Sequence, residues 1–235
     1  MLGESNFNVI ILAGGLGTRL RSVVGDVPKP IAPIDEKPFL YYLLKNLQQF
    51  NVKEVVLSLC YEPEKVKEAL KPYHFEFNLD FITEPTALGT GGGILYCLNE
   101  KEFDDVLVLN GDTFFDIDLN TFFKEFKDLN SDVHIASRIV EDSGRYGSLT
   151  VSNDKIVAFN EKGIDGQGLI NGGIYALKTS VFKDIKPGEI FSFENFLKES
   201  VDKLLITTKQ YDSPFIDIGI PEDYKRASNF LRDIP

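Results

Sequence analysis

Apolar runs alternate with stretches of helical spacing through the first half of the chain. FNVIILA, KEVVLSLC, LDFIT and DDVLVLNGD read as strands, and PFLYYLLKNLQQF, PEKVKEAL and GGGILYCLNE between them read as helices. Short apolar strands separated by helical periodicity predict βαβ units and a mostly parallel sheet. In the first helical stretch Phe39, Leu40, Leu43, Leu44, Leu47 and Phe50 make one stripe, with Pro38 suited to the first turn. That stripe is expected to pack on the core.

After Asp112 the pattern shifts to shorter β-like pieces, DVHIASRIV, YGSLTV, KIVAFNE and LINGGIYAL, with turns at SND and GIDGQG. A helix FSFENFLKESVD, a strand LLITTKQY and a closing segment PEDYKRASNFLRDI follow, with no linker, low-complexity tract or internal repeat. The expectation is an α/β fold in one domain over residues 1–235. A doubly wound, mostly parallel, Rossmann-like sheet would form the half over about 1–112, and a more irregular β-rich half would follow over about 113–235.

Hydrophobic residues make up 43% of the chain and charged residues 26%, which excludes disordered and collagen-like classes. The net charge of -11 disfavours nonspecific nucleic-acid binding, which begins with neutralisation of phosphates by a basic surface. A few local cations can still dominate a cleft. No apolar run reaches the roughly 20 residues of a membrane helix, and MLGESNFN lacks the pattern of a signal peptide, so a cytoplasmic protein without a membrane partner is expected. Cys60 and Cys97 sit among apolar residues without ligand spacing and read as buried structural thiols; His74 and His134 also read as structural. The absence of a coiled-coil pattern leaves monomer and homodimer open.

Residues 9–30, VIILAGGLGTRLRSVVGDVPKP, concentrate the candidate chemistry. A strand running into Gly14, Gly15 and Gly17 would place bare backbone at the carboxyl edge of the sheet, where N–H groups can approach phosphate and Arg19 can grip it. The loop lacks both the Walker A ending and the GxGxxG spacing, and taken alone it equally describes a tight strand-to-helix turn. Lys29 is framed by Pro28 and Pro30, which restrict its backbone; alone it is also an ordinary surface lysine. Asp112 ends VLVLNGD and Asp217 follows a second apolar run in PFIDIG. Two carboxylates from distant segments suit a hard divalent cation, Mg²⁺ above all, although strand-end aspartates also form turns.

GGLGTRL followed by PKP resembles the signature of the sugar-1-phosphate nucleotidylyltransferases. EPTALGTGGGI, LNGDTF, RYGSL, NEK, INGGIY and FIDIGIPEDY occur in that family's order over nearly the whole chain. The resemblance implies attack of a sugar 1-phosphate oxygen on the α-phosphorus of a nucleoside triphosphate, releasing pyrophosphate. It implies a nucleotide site at Leu12, Ala13, Gly14, Gly15, Gly17, Thr18, Arg19, Glu84, Gly89, Thr90 and Asp112 in the first half. In the second half it implies a sugar-phosphate site at Tyr146, Gly147, Glu161, Lys162, Asn171 and Gly172, joined by Gly111. Arg19, Lys29, Asp112, Lys162 and Asp217 become catalytic candidates, with Asp112 and Asp217 as ligands of Mg²⁺.

PEDY stands near the end of the chain, so a short member without a C-terminal left-handed β-helix is expected. Among short members EPTALGTGGGI is the main reason to favour GTP and a D-glycero-α-D-manno-heptose 1-phosphate, for surface polysaccharide synthesis. Mannose 1-phosphate with GTP, or another sugar phosphate with UTP or dTTP, stays open. So does a non-catalytic regulatory protein that binds sugar nucleotides, against which the presence of all five catalytic candidates argues.

Overall fold

A computed structural model describes residues 6–15, 20–163 and 166–232, apart from the side chains of Arg21 and Ser22. Strands β1 (Phe7–Leu12), β4 (Val52–Leu59), β5 (Asn78–Thr83) and β6 (Asp105–Asn110) alternate with helices α2 (Phe39–Leu47), α3 (Pro63–Leu70) and α4 (Gly89–Glu100). A short α1 (Arg21–Val24) and a two-stranded turn of β2 (Pro33–Ile34) and β3 (Lys37–Pro38) lie between β1 and α2. The second half contributes β7 (Thr113–Phe115), α5 (Leu119–Asp128), β8 (Val133–Val140), β9 (Leu149–Ser152), β10 (Lys155–Phe159) and β11 (Gly168–Lys178). It closes with α6 (Phe193–Glu199), β12 (Ile206–Gln210), β13 (Phe215–Asp217) and α7 (Pro221–Leu231).

The main sheet has nine strands in the order β5-β4-β1-β6-β11-β8-β12-β10-β9. β1 lies third in this order, parallel to both neighbours, with Val9 opposite Val55 of β4 and Leu107 of β6. Strands covered on both faces need apolar side chains at every position, which accounts for the unbroken runs in the sequence. Val9 and Ile11 point into one core with the α2 stripe and α5, whereas Ile10 points into a second core with α4 and α6.

The parallel, doubly wound expectation holds for this half. The continuation differs, because β11 runs antiparallel to both β6 and β8, and β10 runs antiparallel to β12 and β9. The SND turn is present: Asn153 and Asp154 adopt left-handed conformations, with φ of 49° and 60°, between β9 and β10. Pro38 is the residue before α2 rather than inside its first turn, because it also pairs with Pro33 in the β2–β3 turn. Phe50 is only partly buried, while the other stripe residues are at most 4% exposed.

Candidate active site

The carboxyl ends of β1 and β6 build the floor of the site. Beyond β1, Ala13 N donates to Ser58 O at 2.9 Å, and Gly111 N, beyond β6, donates to Leu12 O at 3.0 Å. A Cβ at Gly111 would come within 2.5 Å of Leu12 O, so only glycine lets these strand ends meet. Gly111 is buried against β1, and Ala13, 1% exposed, packs its methyl into the core.

On one side lies a chamber of about 390 Å³ whose lining includes Leu12, Gly14, Gly15, Ser58, Cys60, Glu84, Gly89 and Thr90. Glu84 is nearly buried there; Oε1 accepts from Ser58 Oγ at 2.8 Å and Oε2 from Leu88 N at 3.0 Å. α4 must pass close to this carboxylate, since a Cβ on Gly93 would fall 2.7 Å from Oε1. Gly89 opens α4 with φ +75°. Cys97 is buried as expected, but Cys60 is only partly so and faces this chamber.

The second chamber, of about 480 Å³, is lined among others by Tyr146, Lys162, Asn171, Gly172, Glu194, Phe215 and Asp217. Gly15, Lys29, Asn110 and Asp112 line both chambers and so mark their junction. Asp112 and Asp217 are brought together by backbone pairing. β7, which starts directly after Asp112, pairs antiparallel with β13 so that Thr113 faces Asp217, and Ile218 N donates to Asp112 O at 2.9 Å. The Lys29 ammonium donates to Asp112 Oδ2 and stands 3.9 Å from Asp217 Oδ1. Its proline frame forms a 3-10 turn over Lys29–Ile31, which fixes the start of the side chain. Burial, then the charge of Asp112, pushes the Asp217 carboxyl above the usual range, against the opposing pull of Lys29, the Gly219 amide and Arg145.

Asn171 is held by its Nδ2 donating to Tyr175 Oη at 2.7 Å and its Oδ1 accepting from Gly173 N at 3.0 Å. Burial lifts the Tyr175 phenol well above its ordinary value, so it stays protonated. Gly147 (φ +76°), Glu161 and Lys162 line a side chamber of about 120 Å³, which shares Tyr146, Lys162, Asn171 and Glu194 with the main one. Glu161 is exposed and ion-paired with Lys198, which holds its carboxyl below the usual range. Gly17, Thr18 and Arg19 lie outside the described residues. His74 is exposed and His134 buried, both away from the site.

Asn110, Arg145 and Glu194 are polar lining residues to which the sequence assigns no role. Asn110 and Arg145 lie inside the motifs LNGDTF and RYGSL, beside the residues to which the resemblance gives roles. Glu194 carried no local signal; α6 reaches the cleft because Phe193 N donates to Thr90 Oγ1 at 2.9 Å, a contact between residues far apart in the chain.

A carboxylate pair, a confined lysine and two chambers meeting at them suit the joining of two phosphorylated molecules. The chain belongs to the Nucleotidyl transferase family, which matches residues 8–234, and is a nucleotidyltransferase. It is 44% identical over 216 residues to the D-glycero-alpha-D-manno-heptose 1-phosphate guanylyltransferase of Campylobacter jejuni subsp. jejuni serotype O:2, covering 92% of this chain and 96% of that protein. The enzyme of the same description from Aneurinibacillus thermoaerophilus is 37% identical, covering 95% of this chain and 97% of its own. Among solved structures, HddC from Yersinia pseudotuberculosis complexed with GMP-PN superposes with a TM-score of 0.84 at 38% identity, over 95% of this chain and 98% of that one.

Proposed function

We propose that the protein transfers the guanylyl group of GTP to D-glycero-α-D-manno-heptose 1-phosphate, giving GDP-heptose and pyrophosphate. The observation that carries the chemistry is the junction at Lys29 and Asp112, where the chambers share a wall, with Asp217 beside them in the larger chamber. The choice of substrates is supported by the likeness to two guanylyltransferases of that description over nearly their full lengths. Guanine fits the smaller chamber because it carries N–H donors side by side on its pairing edge. The Glu84 carboxylate, with one bond already on each oxygen, retains acceptor capacity for them.

In the reaction a sugar phosphate oxygen forms a bond to the α-phosphorus as the bond to the β-phosphate oxygen breaks, and pyrophosphate leaves with the electron pair. The attacking oxygen is already ionised, so no general base is required. What the protein must supply is alignment of two anions and neutralisation of their charge. Lys162 serves the sugar phosphate in the larger chamber, and Lys29 serves the α-phosphate at the junction.

Mg²⁺ fits this donor set. Among the described residues no group of three or more His, Cys, Asp or Glu could hold a metal, but a magnesium ion that arrives on triphosphate oxygens needs only one or two carboxylates. Asp112 and Asp217 would hold it, and it would supply Lewis-acid neutralisation of phosphate charge. Burial first, and the neighbouring Asp112 charge second, raise the Asp217 pKa, and the second of these is what a divalent cation relieves. The product is an activated donor for surface polysaccharide synthesis, a cytoplasmic role.

The test is pyrophosphate release with Mg²⁺ over GTP, CTP, UTP, dTTP and ATP against heptose, mannose, glucose and N-acetylated sugar 1-phosphates. The strongest activity is expected with GTP and the manno-heptose phosphate. A stronger signal with another pair would replace the substrates, and no turnover alongside calorimetric binding of sugar nucleotides would favour a regulatory protein.

A further inference from the structure

Arg145 stands in the loop between β8 and β9 and reaches into the larger chamber. Its backbone is set by the turn around it: Tyr146 N and Gly147 N both donate to Ser143 O at 3.0 Å, and Gly163 N donates to Gly144 O at 2.7 Å. The guanidinium lies 4.8 Å from the ring centroid of Tyr146. Nη1 donates to Asp223 Oδ2 at 2.6 Å, and Nη2 stands 3.7 Å from Asp217 Oδ2. One planar group thus joins the loop, the first turn of α7 and the end of β13.

The other oxygen of Asp217 is also restrained. Oδ1 accepts from Gly219 N at 2.6 Å and faces Lys29. A carboxylate on a strand end can turn about two side-chain bonds, and here a different partner constrains each oxygen.

We propose that Arg145 is a positioning residue for Asp217: anchored by Asp223, its guanidinium fixes the plane in which the Asp217 carboxylate is presented to the junction. The proposal rests on the reading of Asp217 as a metal-binding carboxylate. Arginine suits the task because its rigid fork can address two carboxylates at once, whereas the single ammonium of lysine is a point charge on a flexible stem. Groups that orient a metal-binding carboxylate commonly govern metal affinity and turnover by about 10- to 100-fold.

The experiment compares wild type, Asp217→Asn, Arg145→Gln, Arg145→Lys and Asp223→Asn. Mn²⁺ binding in the presence of GTP, without sugar phosphate, is followed by electron paramagnetic resonance, and kcat and each KM are measured with Mg²⁺. Arg145→Gln is expected to weaken Mn²⁺ binding and lower kcat by about 10- to 100-fold, with both KM values changing much less. Arg145→Lys should recover part of the loss, and Asp223→Asn should show the same pattern more weakly. Arg145 is partly exposed on a loop, so unchanged melting temperatures are expected. Wild-type Mn²⁺ affinity and kcat in Arg145→Gln, with both lost in Asp217→Asn, would overturn the positioning role alone. A loss confined to the KM for sugar phosphate would make Arg145 a substrate contact and overturn it too. Unchanged Mn²⁺ binding in Asp217→Asn would overturn the metal-site reading beneath it.

Discussion

His134 offers a stability prediction that the structure makes quantitative. It lies on β8, 1% exposed, with Nδ1 2.7 Å from Thr207 Oγ1 and its ring 4.8 Å from the centroid of Phe122. Among the described residues Nε2 has no hydrogen-bond partner, and its nearest anion, Glu125 Oε2, is 4.0 Å away. Burial therefore dominates, and it drives the imidazole pKa from 6.5 down to about 4 despite the opposing pull of Glu125. The unfolded chain takes up a proton that the folded chain refuses, so stability is intact above pH 6.5 and is lost as the pH falls from there towards 4. Between pH 7.5 and 4.5 the linkage relation gives a loss of about 2.5 kcal/mol from this residue. That is a large share of the 5–15 kcal/mol typical of a folded domain.

His134→Asn keeps a polar atom near the Nδ1 position and does not titrate. Urea unfolding at the two pH values gives a double difference in which the carboxylates common to both proteins cancel. The variant is expected to be less stable at pH 7.5, from lost packing on Phe122, yet to lose about 2.5 kcal/mol less than wild type on acidification. Equal losses in the two proteins would refute the reasoning and place the acid sensitivity elsewhere.

Three further predictions concern the site. Lys29→Met removes the ammonium at the chamber junction and should lower kcat by about 100- to 1000-fold with little change in the KM for GTP; a loss seen mainly in KM would move Lys29 from catalysis to binding. Gly93→Ala would set a methyl 2.7 Å from Glu84 Oε1. It is expected to raise the KM for GTP by about tenfold, on the order of a 1.4 kcal/mol displacement of that carboxylate, while the sugar-phosphate KM stays near wild type in steady-state assays. In Gly219→Ala the new methyl would stand 2.8 Å from Asp217 Oδ1, and turnover should fall by at least about tenfold, by analogy with loss of a group that orients a metal ligand. Unchanged turnover there would mean that the Asp217 carboxylate adapts freely.

Periodicity made the first half legible, because the inner strands β1, β4 and β6 contribute to cores on both faces and α2 and α3 each have one apolar side. The stripe from Phe39 to Leu47 became the α2 core face for that reason. α5 is not legible in the same way: Leu119, Phe122, Phe123 and Phe126 follow helical spacing, but phenylalanine is equally at home in strands and the surrounding texture is β-like. The insertion of β11 between β6 and β8, and the pairing of β7 with β13, depend on contacts between distant segments that no local pattern reports. Asp112, Asp217 and Lys29 were legible as motif residues, and the structure added their mutual geometry. Glu161 shows the reverse, since a motif gave its chemistry while Lys198, on the distant helix α6, determined where its carboxylate points.

The contact between α4 and the segment before α6 bears on how specificity could be redesigned. Gly91 N donates to Phe191 O and Phe191 N to Leu88 O, both at 3.0 Å, while Thr90 receives the Phe193 amide. A Cβ on Gly91 would lie 2.1 Å from the Phe191 ring, so the two segments fit only as a matched pair. An engineer who transplants residues 84–94 from a relative with another base preference would import a helix start shaped for a different partner. The graft should fold well only when residues 189–195 travel with it, and those residues carry Glu194 into the larger chamber. Under the proposed assignment of the two chambers, base and sugar preference become mechanically linked traits, and recombination between relatives is expected to exchange them together.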